Sequence, residues 1–357
     1  MTRRAKRNVS SKPILYGDAT RWGLIHADTR ALLPQLPDAC VQAVICDPPY
    51  CLGLAGAAWD GKDIRAAVDA ADRRLSDGEA FQLWTRDWAA DCLRLLPPGG
   101  YLVAFGAPRN FHRLAAGVED AGLEIRDVIA WVYGSGMPKS RRLSGDRGTA
   151  LKPAYEPILI ARKPLDGSTS GNMARYGTGA LNIGAGRIED EHHSDAHGRQ
   201  AGRWPANLIW SHHPNCRPSR CHPACPKPLL DQGHTSRPSR FFYSSKASTG
   251  EREAGCQHLP KRDAALFSTK KGSPAPKRRN HHPTPKPIEL MRWITRLTCA
   301  AGGVVLDPFA GSGSGGAAAM LEGRGYIGIE RESAYVEIAA ARIAHHAAEA
   351  ASRDRRA

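Results

Sequence analysis

The sequence predicts an α/β protein built on one mostly parallel sheet of about seven strands, with a long region inserted into it. Three observations carry this. Short apolar strand segments alternate with helical periodicity as far as residue 162, and the alternation resumes near residue 288. Between them lies a stretch rich in Gly, Ser, Pro, His and Arg. Two of the apolar strands run directly into an acid and a proline, Asp47-Pro48 and Asp307-Pro308.

The elements follow in order. Residues 1–13 are basic and polar and read as a loose arm, and residues 14–162 form the first half of the sheet. Trp22–Ala27 and Val41–Cys46 are strand segments, with a short helix at Leu32-Leu33-Pro34-Gln35-Leu36 between them. From Glu79 to Leu96 the residues Phe81, Trp84, Trp88, Cys92 and Leu95 recur at steps of three and four. That spacing predicts an amphipathic helix, stopped by Pro97-Pro98-Gly99-Gly100. Tyr101–Phe105 is a strand, Arg109–Ala121 a helix, and Leu123–Val132 and Tyr155–Ala161 are strands. Residues 163–280 lose this rhythm. A structureless run of that length is improbable in a compact domain, so it reads as an inserted recognition region. Ala206–Trp210 and Phe241–Ser244 are its short elements, and 270–279 is a flexible basic linker. Residues 281–350 regain regularity, with Ile288–Cys299 a helix, Val304–Asp307 a strand, Gly313–Glu322 a helix, Tyr326–Glu330 a strand and Glu332–Glu349 an Ala-rich helix. Residues 351–357 are a solvated tail.

Composition bounds the function. The 357 residues suit two domains, or one carrying an insertion. An excess of 15 positive charges suits a polyanion, nucleic acid first and an anionic membrane surface second. No apolar run approaches the roughly 18 residues of a membrane span, and the basic N-terminus has no apolar stretch behind it, unlike a secretory signal. Nine scattered cysteines do not form a secreted disulfide framework. The expectation is a cytoplasmic protein in a reducing compartment.

Asp47-Pro48-Pro49-Tyr50 follows the apolar strand Val44-Ile45-Cys46. Two prolines fix φ twice and restrict the residue before them. The Asp47 carboxylate, the Pro48 carbonyl and the Tyr50 ring are thus held at the carboxyl end of a strand, where α/β sheets place ligands. A carboxylate and a carbonyl accepting both N–H bonds of a nucleobase amine would draw its nitrogen toward tetrahedral geometry. The carboxylate would also stabilise the positive charge that develops there. An aromatic face suits a base swung out of the helix. A plain loop with Asp as a turn residue is the alternative.

In Asp307-Pro308-Phe309-Ala310-Gly311-Ser312-Gly313 a strand passes through a Gly-rich turn into a helix, which favours an anionic group at the helix start. Glu330 ends the next strand, at the distance expected of an acid that binds ribose hydroxyls. No Lys-Ser or Lys-Thr follows these glycines, so the turn is not a Walker loop. Alone, the pattern fits NAD equally well.

Together and in this order, the two motifs resemble the S-adenosylmethionine-dependent DNA amino-methyltransferases of the permuted β class, which modify adenine N6 or cytosine N4. The segments Gly134–Ser140, Tyr155-Glu156-Pro157-Ile158, Gly202–Asn207 and His282-Pro283-Thr284-Pro285-Lys286-Pro287 are similar to phage and prophage members. The resemblance implies a Rossmann-like methyltransferase fold. Residues 14–162 would be its catalytic half, 163–280 its target-recognition region and 281–350 its cofactor half. It implies catalytic roles for Asp47, Pro48, Pro49 and Tyr50. It implies S-adenosylmethionine contacts from Asp28, Thr284, Lys286, Asp307, Phe309, Gly311, Gly313 and Glu330. Asp28 also reads as a helix N-cap. Ser314 stands where many relatives carry Thr, and a hydroxyl is kept. Double-stranded DNA is the implied partner, a homodimer is compatible with the pattern, and no membrane is involved.

Asp at the first position of the tetrapeptide resembles the adenine N6 group, with cytosine N4 as the alternative. Cytosine C5 chemistry needs a thiolate in a Pro-Cys pair, which the chain lacks. RNA or a protein glutamine amide are further substrates to weigh. A non-catalytic DNA-binding protein on a degenerate methyltransferase fold is the rival of another class, and the intact motifs argue against it. Lys139, Arg141 and Arg142 follow a catalytic-side strand and are expected to meet DNA, with Arg147 beside them. Finally, Cys216, Cys221 and Cys225 suit a zinc site if His212, His213 or His222 adds a fourth ligand, but their spacing is not the usual paired Cys-x2-Cys, and reduced structural thiols are the plainer reading.

Overall fold

The computed structural model describes residues 14–18, 21–53, 57–69, 75–133, 147–188, 202–212, 216, 220–223, 225–233, 249–264 and 275–355. The chain opens with β1 (Ile14–Gly17), β2 (Trp22–His26), α1 (Thr29–Leu32) and β3 (Ala43–Cys46). It continues through α2 (Lys62–Asp69), α3 (Asp77–Leu95), β4 (Tyr101–Phe105), α4 (Phe111–Asp120), β5 (Glu124–Val132) and β6 (Tyr155–Arg162). The middle holds α5 (Thr169–Tyr176), α6 (Ile183–Gly186), β7 (Leu208–Trp210), α7 (Pro226–Asp231), α8 (Thr249–Glu253), β8 (Arg262–Asp263) and β9 (Lys277–Arg278). The last part is α9 (Ile288–Thr298), β10 (Val304–Asp307), α10 (Ser314–Leu321), β11 (Gly325–Glu330) and α11 (Ser333–Asp354).

One sheet carries the order β1-β2-β11-β10-β3-β4-β6-β5-β7. Five of its pairings are parallel and three antiparallel, so the mostly parallel reading holds. The sheet has nine strands rather than seven. The two extra ones, β1 and β7, are short edge strands. Each is defined by its partner, β2 or β5, more than by its own pattern.

The central strands β3 and β4 are buried along their whole length. Such continuous apolar runs belong to a sheet covered on both faces. Alternation sorts them. Ala43, Ile45, Val103, Phe105 and Val305 pack with α9, α10 and α11. Val44, Cys46, Leu102, Ala104 and Leu306 pack with α2, α3 and α4. Among the described residues no helix is long and apolar enough to cross a membrane.

Helix α3 begins two residues before its expected start because a capping box sets it. The Ser76 Oγ accepts from the Glu79 N–H at 3.3 Å, and the Glu79 carboxylate accepts from the Ser76 N–H at 2.8 Å. At the far end of the chain, α11 runs on to Asp354, past the expected stop at Glu349. Gly313 precedes α10 with φ of +77°, and a Cβ there would stand 2.9 Å from the Ala339 Cα of α11. Only glycine serves at that close, left-handed corner.

Both ends of the inserted region pack on this body. The buried Asn172 amide donates to the Pro98 carbonyl at 2.9 Å. The Glu251 carboxylate of α8 accepts from the Ile288 N–H at 2.7 Å and so caps α9. Part of the expected linker is the ribbon β8–β9. The element expected at Phe241–Ser244 lies outside the described residues.

The chain leaves β3 toward β4 and leaves β10 toward β11, on opposite sides. The carboxyl ends of β3 and β10 therefore flank the crevice where an open α/β sheet binds its ligand. Trp88 of α3 supports it from below. It is fully buried and meets the Phe309 ring edge-on at 5.4 Å. Trp88→Ala should destabilise the chain by about 3–5 kcal/mol, read from urea unfolding, through the cavity it leaves. A loss under 1 kcal/mol, on the order of a surface change, would contradict this packing.

Candidate active site

Asp47 leaves β3 into the crevice, and the two prolines hold the turn. The turn closes at Cys51, which adopts φ of +56°. Asn110, just before α4, pins it by donating to the Tyr50 carbonyl at 2.9 Å. That bond stabilises a left-handed backbone which a non-glycine residue rarely adopts.

Around the tetrapeptide lies a half-buried polar cluster centred on the buried Lys286. The Tyr50 hydroxyl donates to Asp47 Oδ1 at 2.7 Å. The Lys286 Nζ lies 2.6 Å from Asp47 Oδ2, 3.3 Å from Glu156 Oε2 and 3.3 Å from the Tyr50 hydroxyl. Tyr133 donates to the other Glu156 oxygen at 3.3 Å. Lys286 also stands over the Phe105 ring, 5.0 Å from its centroid.

Two carboxylates share one ammonium here, and little water reaches them. Burial pushes the Asp47 pKa above the ordinary carboxylate range, with Glu156 adding to the rise and Lys286 opposing it. Burial alone would lower the Lys286 pKa, but Asp47 and Glu156 hold it above the usual lysine value. Tyr50 is pushed well up by burial and the neighbouring carboxylates, so its hydroxyl keeps its proton.

The second loop begins at Asp307, which is buried at the end of β10. Its carboxylate accepts from the Phe309 N–H at 3.1 Å and from the Tyr326 hydroxyl at 3.3 Å. Glu330 ends β11 and accepts from the Gly311 N–H at 2.8 Å and the Glu332 N–H at 2.7 Å. Burial pushes the Asp307 and Glu330 carboxyls each up to about 7. From beneath, the buried Arg342 of α11 donates to the Ser312 carbonyl at 2.6 Å and to the Ser314 hydroxyl at 3.1 Å. His282 closes the loop from outside. A Cβ on Gly311 would sit 3.0 Å from its Nε2. Burial and the nearby Lys286 and Arg252 push the His282 pKa down to about 3, so its ring is neutral.

One cavity of about 420 Å³ spans both loops, lined by Asp47, Pro48 and Tyr50 on one side and Phe309, Gly311 and Glu330 on the other. Asp28, Thr284 and Trp59 also line it. Asp28 is at the same time the N-cap of α1, accepting from the Arg30 N–H at 2.9 Å. Gly313 lies behind the loop, against α11. The Lys286 ammonium, expected to contact the cofactor, lies between Asp47 and Glu156. Lys139, Arg141 and Arg142 lie outside the described residues.

Sequence reasoning missed Glu156 and Arg342 as site residues. Glu156 sat in view, as an acid opening an apolar strand. Arg342 is the one charge inside Ala339-Ala340-Ala341-Arg342-Ile343-Ala344, a run too apolar to carry an unpaired guanidinium.

The DNA methylase family, which joins N6 and N4 methyltransferases, matches residues 41–341. The chain is 23% identical over 301 residues to the type II methyltransferase M.HindIII of Haemophilus influenzae, covering 79% of this chain and 74% of that protein. It is 23% identical over 341 residues to the DNA adenine methyltransferase YhdJ of Escherichia coli, covering 95% of this chain and 88% of that protein. Among solved structures, the cytosine-N4-specific PvuII DNA methyltransferase superposes with a TM-score of 0.54 at 17% identity, covering 90% of this chain and 86% of that one. That likeness is one of fold.

The cluster makes a test of its own. Lys286→Met removes the buried ammonium shared by Asp47 and Glu156, which are themselves 22% and 21% exposed, so the loss should fall at or below the about 3–5 kcal/mol of breaking a fully buried pair. Asp47, whose pKa burial already raises, then loses the cation that opposes the rise. Stability is lost as pH rises above the unfolded carboxylate range, so the deficit should be larger at pH 8 than at pH 5. Urea melts of the variant and the parent at both pH values measure it, and an equal deficit at both would place the ammonium elsewhere.

Proposed function

Since the chain belongs to the DNA methylase family, we propose that it transfers a methyl group from S-adenosylmethionine to the exocyclic N6 amine of adenine in double-stranded DNA. The single cavity shared by the Asp47–Tyr50 turn and the Gly311–Glu330 loop carries this reading. It can seat a donor and an acceptor side by side. Residues 14–162 present the amine-binding side and 281–350 the cofactor side. The inserted region, together with Lys139, Arg141 and Arg142 of the segment between β5 and β6, meets the DNA.

The residues fit the cofactor. Glu330 and Asp28 bring carboxylates to the cavity wall, which suit hydroxyl and amine donors. Phe309 and Thr284 extend the wall, Asp307 and Gly313 hold the loop behind it, and the Gly311 backbone leaves room for close approach. When bound, S-adenosylmethionine supplies an electrophilic methyl group on a positively charged sulfur.

The chain's own residues do the rest. With no base present, the Tyr50 hydroxyl occupies Asp47 Oδ1. An incoming amine exchanges for it and donates one N–H to Asp47 and one to the Pro48 carbonyl. The freed Tyr50 ring then stacks on the base, and Pro49 keeps the turn stiff. As the nitrogen gains its bond to the methyl carbon, Asp47 stabilises the positive charge building on it. The nitrogen then sheds one proton, and the raised pKa of Asp47 equips it to take that proton up. Lys286 keeps Asp47 ionised until then.

The similarity to YhdJ, a DNA adenine methyltransferase by name, and the Asp at the head of the tetrapeptide favour adenine. Digestion of methylated DNA to nucleosides should yield N6-methyladenine. N4-methylcytosine as the sole product would overturn the choice of base and leave the roles of Asp47, Pro48 and Tyr50 standing. Asp47→Ala should lower turnover at least about a hundredfold, the scale of one preorganised transition-state group. Its affinity for S-adenosylmethionine should stay near that of the parent, as calorimetry would show.

Cofactor binding should depend on pH. Glu330 titrates at about 7 and accepts hydroxyl donors best when ionised. Affinity should therefore fall by about tenfold from pH 8 to pH 6, as the carboxylate protonates. Asp307 titrates in the same window, so Glu330→Gln should weaken binding at pH 8 and shallow the slope. A slope unchanged in the variant would detach Glu330 from the cofactor.

A further inference from the structure

The inserted region carries a second constellation, remote from the reaction in sequence. The ligand atoms of His212, Cys216, Cys221 and Cys225 all lie within 4.8 Å of one another. The sequence left the fourth ligand open among His212, His213 and His222; His213 lies outside the described residues, and of the other two His212 brings its ring nitrogen to the sulfurs. We propose that these four residues bind a structural zinc ion that staples α7 to the end of β7, within the inserted region.

The distances support it. The His212 Nδ1 lies 3.6 Å from the Cys221 sulfur and 3.6 Å from the Cys225 sulfur. In tetrahedral zinc, with Zn–S near 2.3 Å and Zn–N near 2.0–2.1 Å, a nitrogen and a sulfur ligand stand about 3.5–3.6 Å apart. Two edges of that tetrahedron are thus already in place. His222 takes another part. Its N–H donates to the Cys216 sulfur at 3.2 Å, and its carbonyl accepts from the Cys225 N–H at 2.8 Å. The turn from Cys221 to Cys225 is thereby closed around the sulfurs. Three thiolates and one imidazole are soft, nitrogen-and-sulfur ligands of the kind zinc prefers, and a set of four leaves no position open for substrate. The site is therefore structural.

The surroundings explain why a staple is useful. Cys225 is fully buried and is the N-cap residue of α7, a helix of six residues. So short a helix is marginal without tertiary support. His212 is anchored on the other side. It follows Ser211, whose N–H donates to the Val132 carbonyl at 2.8 Å and whose hydroxyl accepts from the Trp131 indole at 2.7 Å. Trp131 packs edge-on against Tyr133 at 5.3 Å, and Tyr133 donates to Glu156. The metal thus ties α7 to the strand end that borders the catalytic cluster. The site itself stands whatever reaction the cavity performs.

The test uses the full chain purified under reducing conditions. Elemental analysis by mass spectrometry should find about one zinc per chain, as one four-ligand site requires. Cys221→Ser and His212→Ala should each lower occupancy at least about fivefold, since metal affinity follows the ligand set. Should either variant fold poorly, cobalt(II) added to chelator-treated parent protein gives an independent reading. It should show the visible absorption of tetrahedral, thiolate-bound cobalt. Binding of S-adenosylmethionine by the chelated protein reports on the sheet separately, so loss of the methyltransferase reading and loss of the metal site are distinguishable. Zinc-free native protein whose chelated form binds cobalt without those bands overturns the proposal, as does a disulfide between Cys221 and Cys225.

Discussion

Lys286 and Asp47 stand 239 residues apart in the chain and 2.6 Å apart in space. Two half-buried acids meet one buried base at the mouth of the sheet, and the ammonium is tolerable there only because the carboxylates pair with it. Their meeting explains a feature of the topology. β3 and β4 run parallel and finish at the crevice, while β6 is antiparallel to β4 and starts there. Glu156, the second residue of β6, is thereby delivered to the same end as Asp47 and Phe105. A sheet of parallel strands alone would carry that acid to the opposite edge.

The other loop rests on a comparable arrangement. Glu330 holds the Gly311 amide from one side and Arg342 holds the Ser312 carbonyl from below. A glycine turn would otherwise be soft. Here a carboxylate and a guanidinium, each supplied by a neighbouring element, define its path. Phe309 adds weight by packing on Trp84 and Trp88. The two loops are therefore shaped by separate partners and face each other across the cavity, and Thr29 of α1 steadies the second through its hydroxyl, which bonds to the Pro308 carbonyl.

Much of this was legible in the sequence, for a physical reason. β4 and β10 sit in the centre of the sheet, where burial on both faces leaves unbroken apolar runs, and their limits agree with the sequence reading. The Asp47 and Asp307 turns announce themselves through proline and glycine, whose backbone restrictions act locally. What escaped depends on partners that the local pattern does not show. β1 and β7 are strands because β2 and β5 lie beside them. Glu156 becomes a site residue only when Lys286 arrives, and Arg342 only when α11 lies under the glycine loop. The choice of His212 over His222 needed the fold of the turn between them. The start of α3 was readable in principle, since Ser76 and Glu79 spell a capping box, but the apolar period drew the boundary to the first hydrophobic residue.

The order of the strands has a consequence for how the protein is made. β10 and β11 fill the gap between β2 and β3, yet they are translated last. A nascent chain that has emerged through β6 holds its sheet in two parts, with the facing edges of β2 and β3 unpaired and strongly apolar. Such edges invite pairing with other chains. The gap closes only when residues 304–330 reach it, bringing the glycine loop with them. A ribosome that stops at the basic stretch before Ile288 therefore releases a product without a cofactor wall and with an open template at its centre. The segment that closes the sheet is thus also the one that carries the glycine loop.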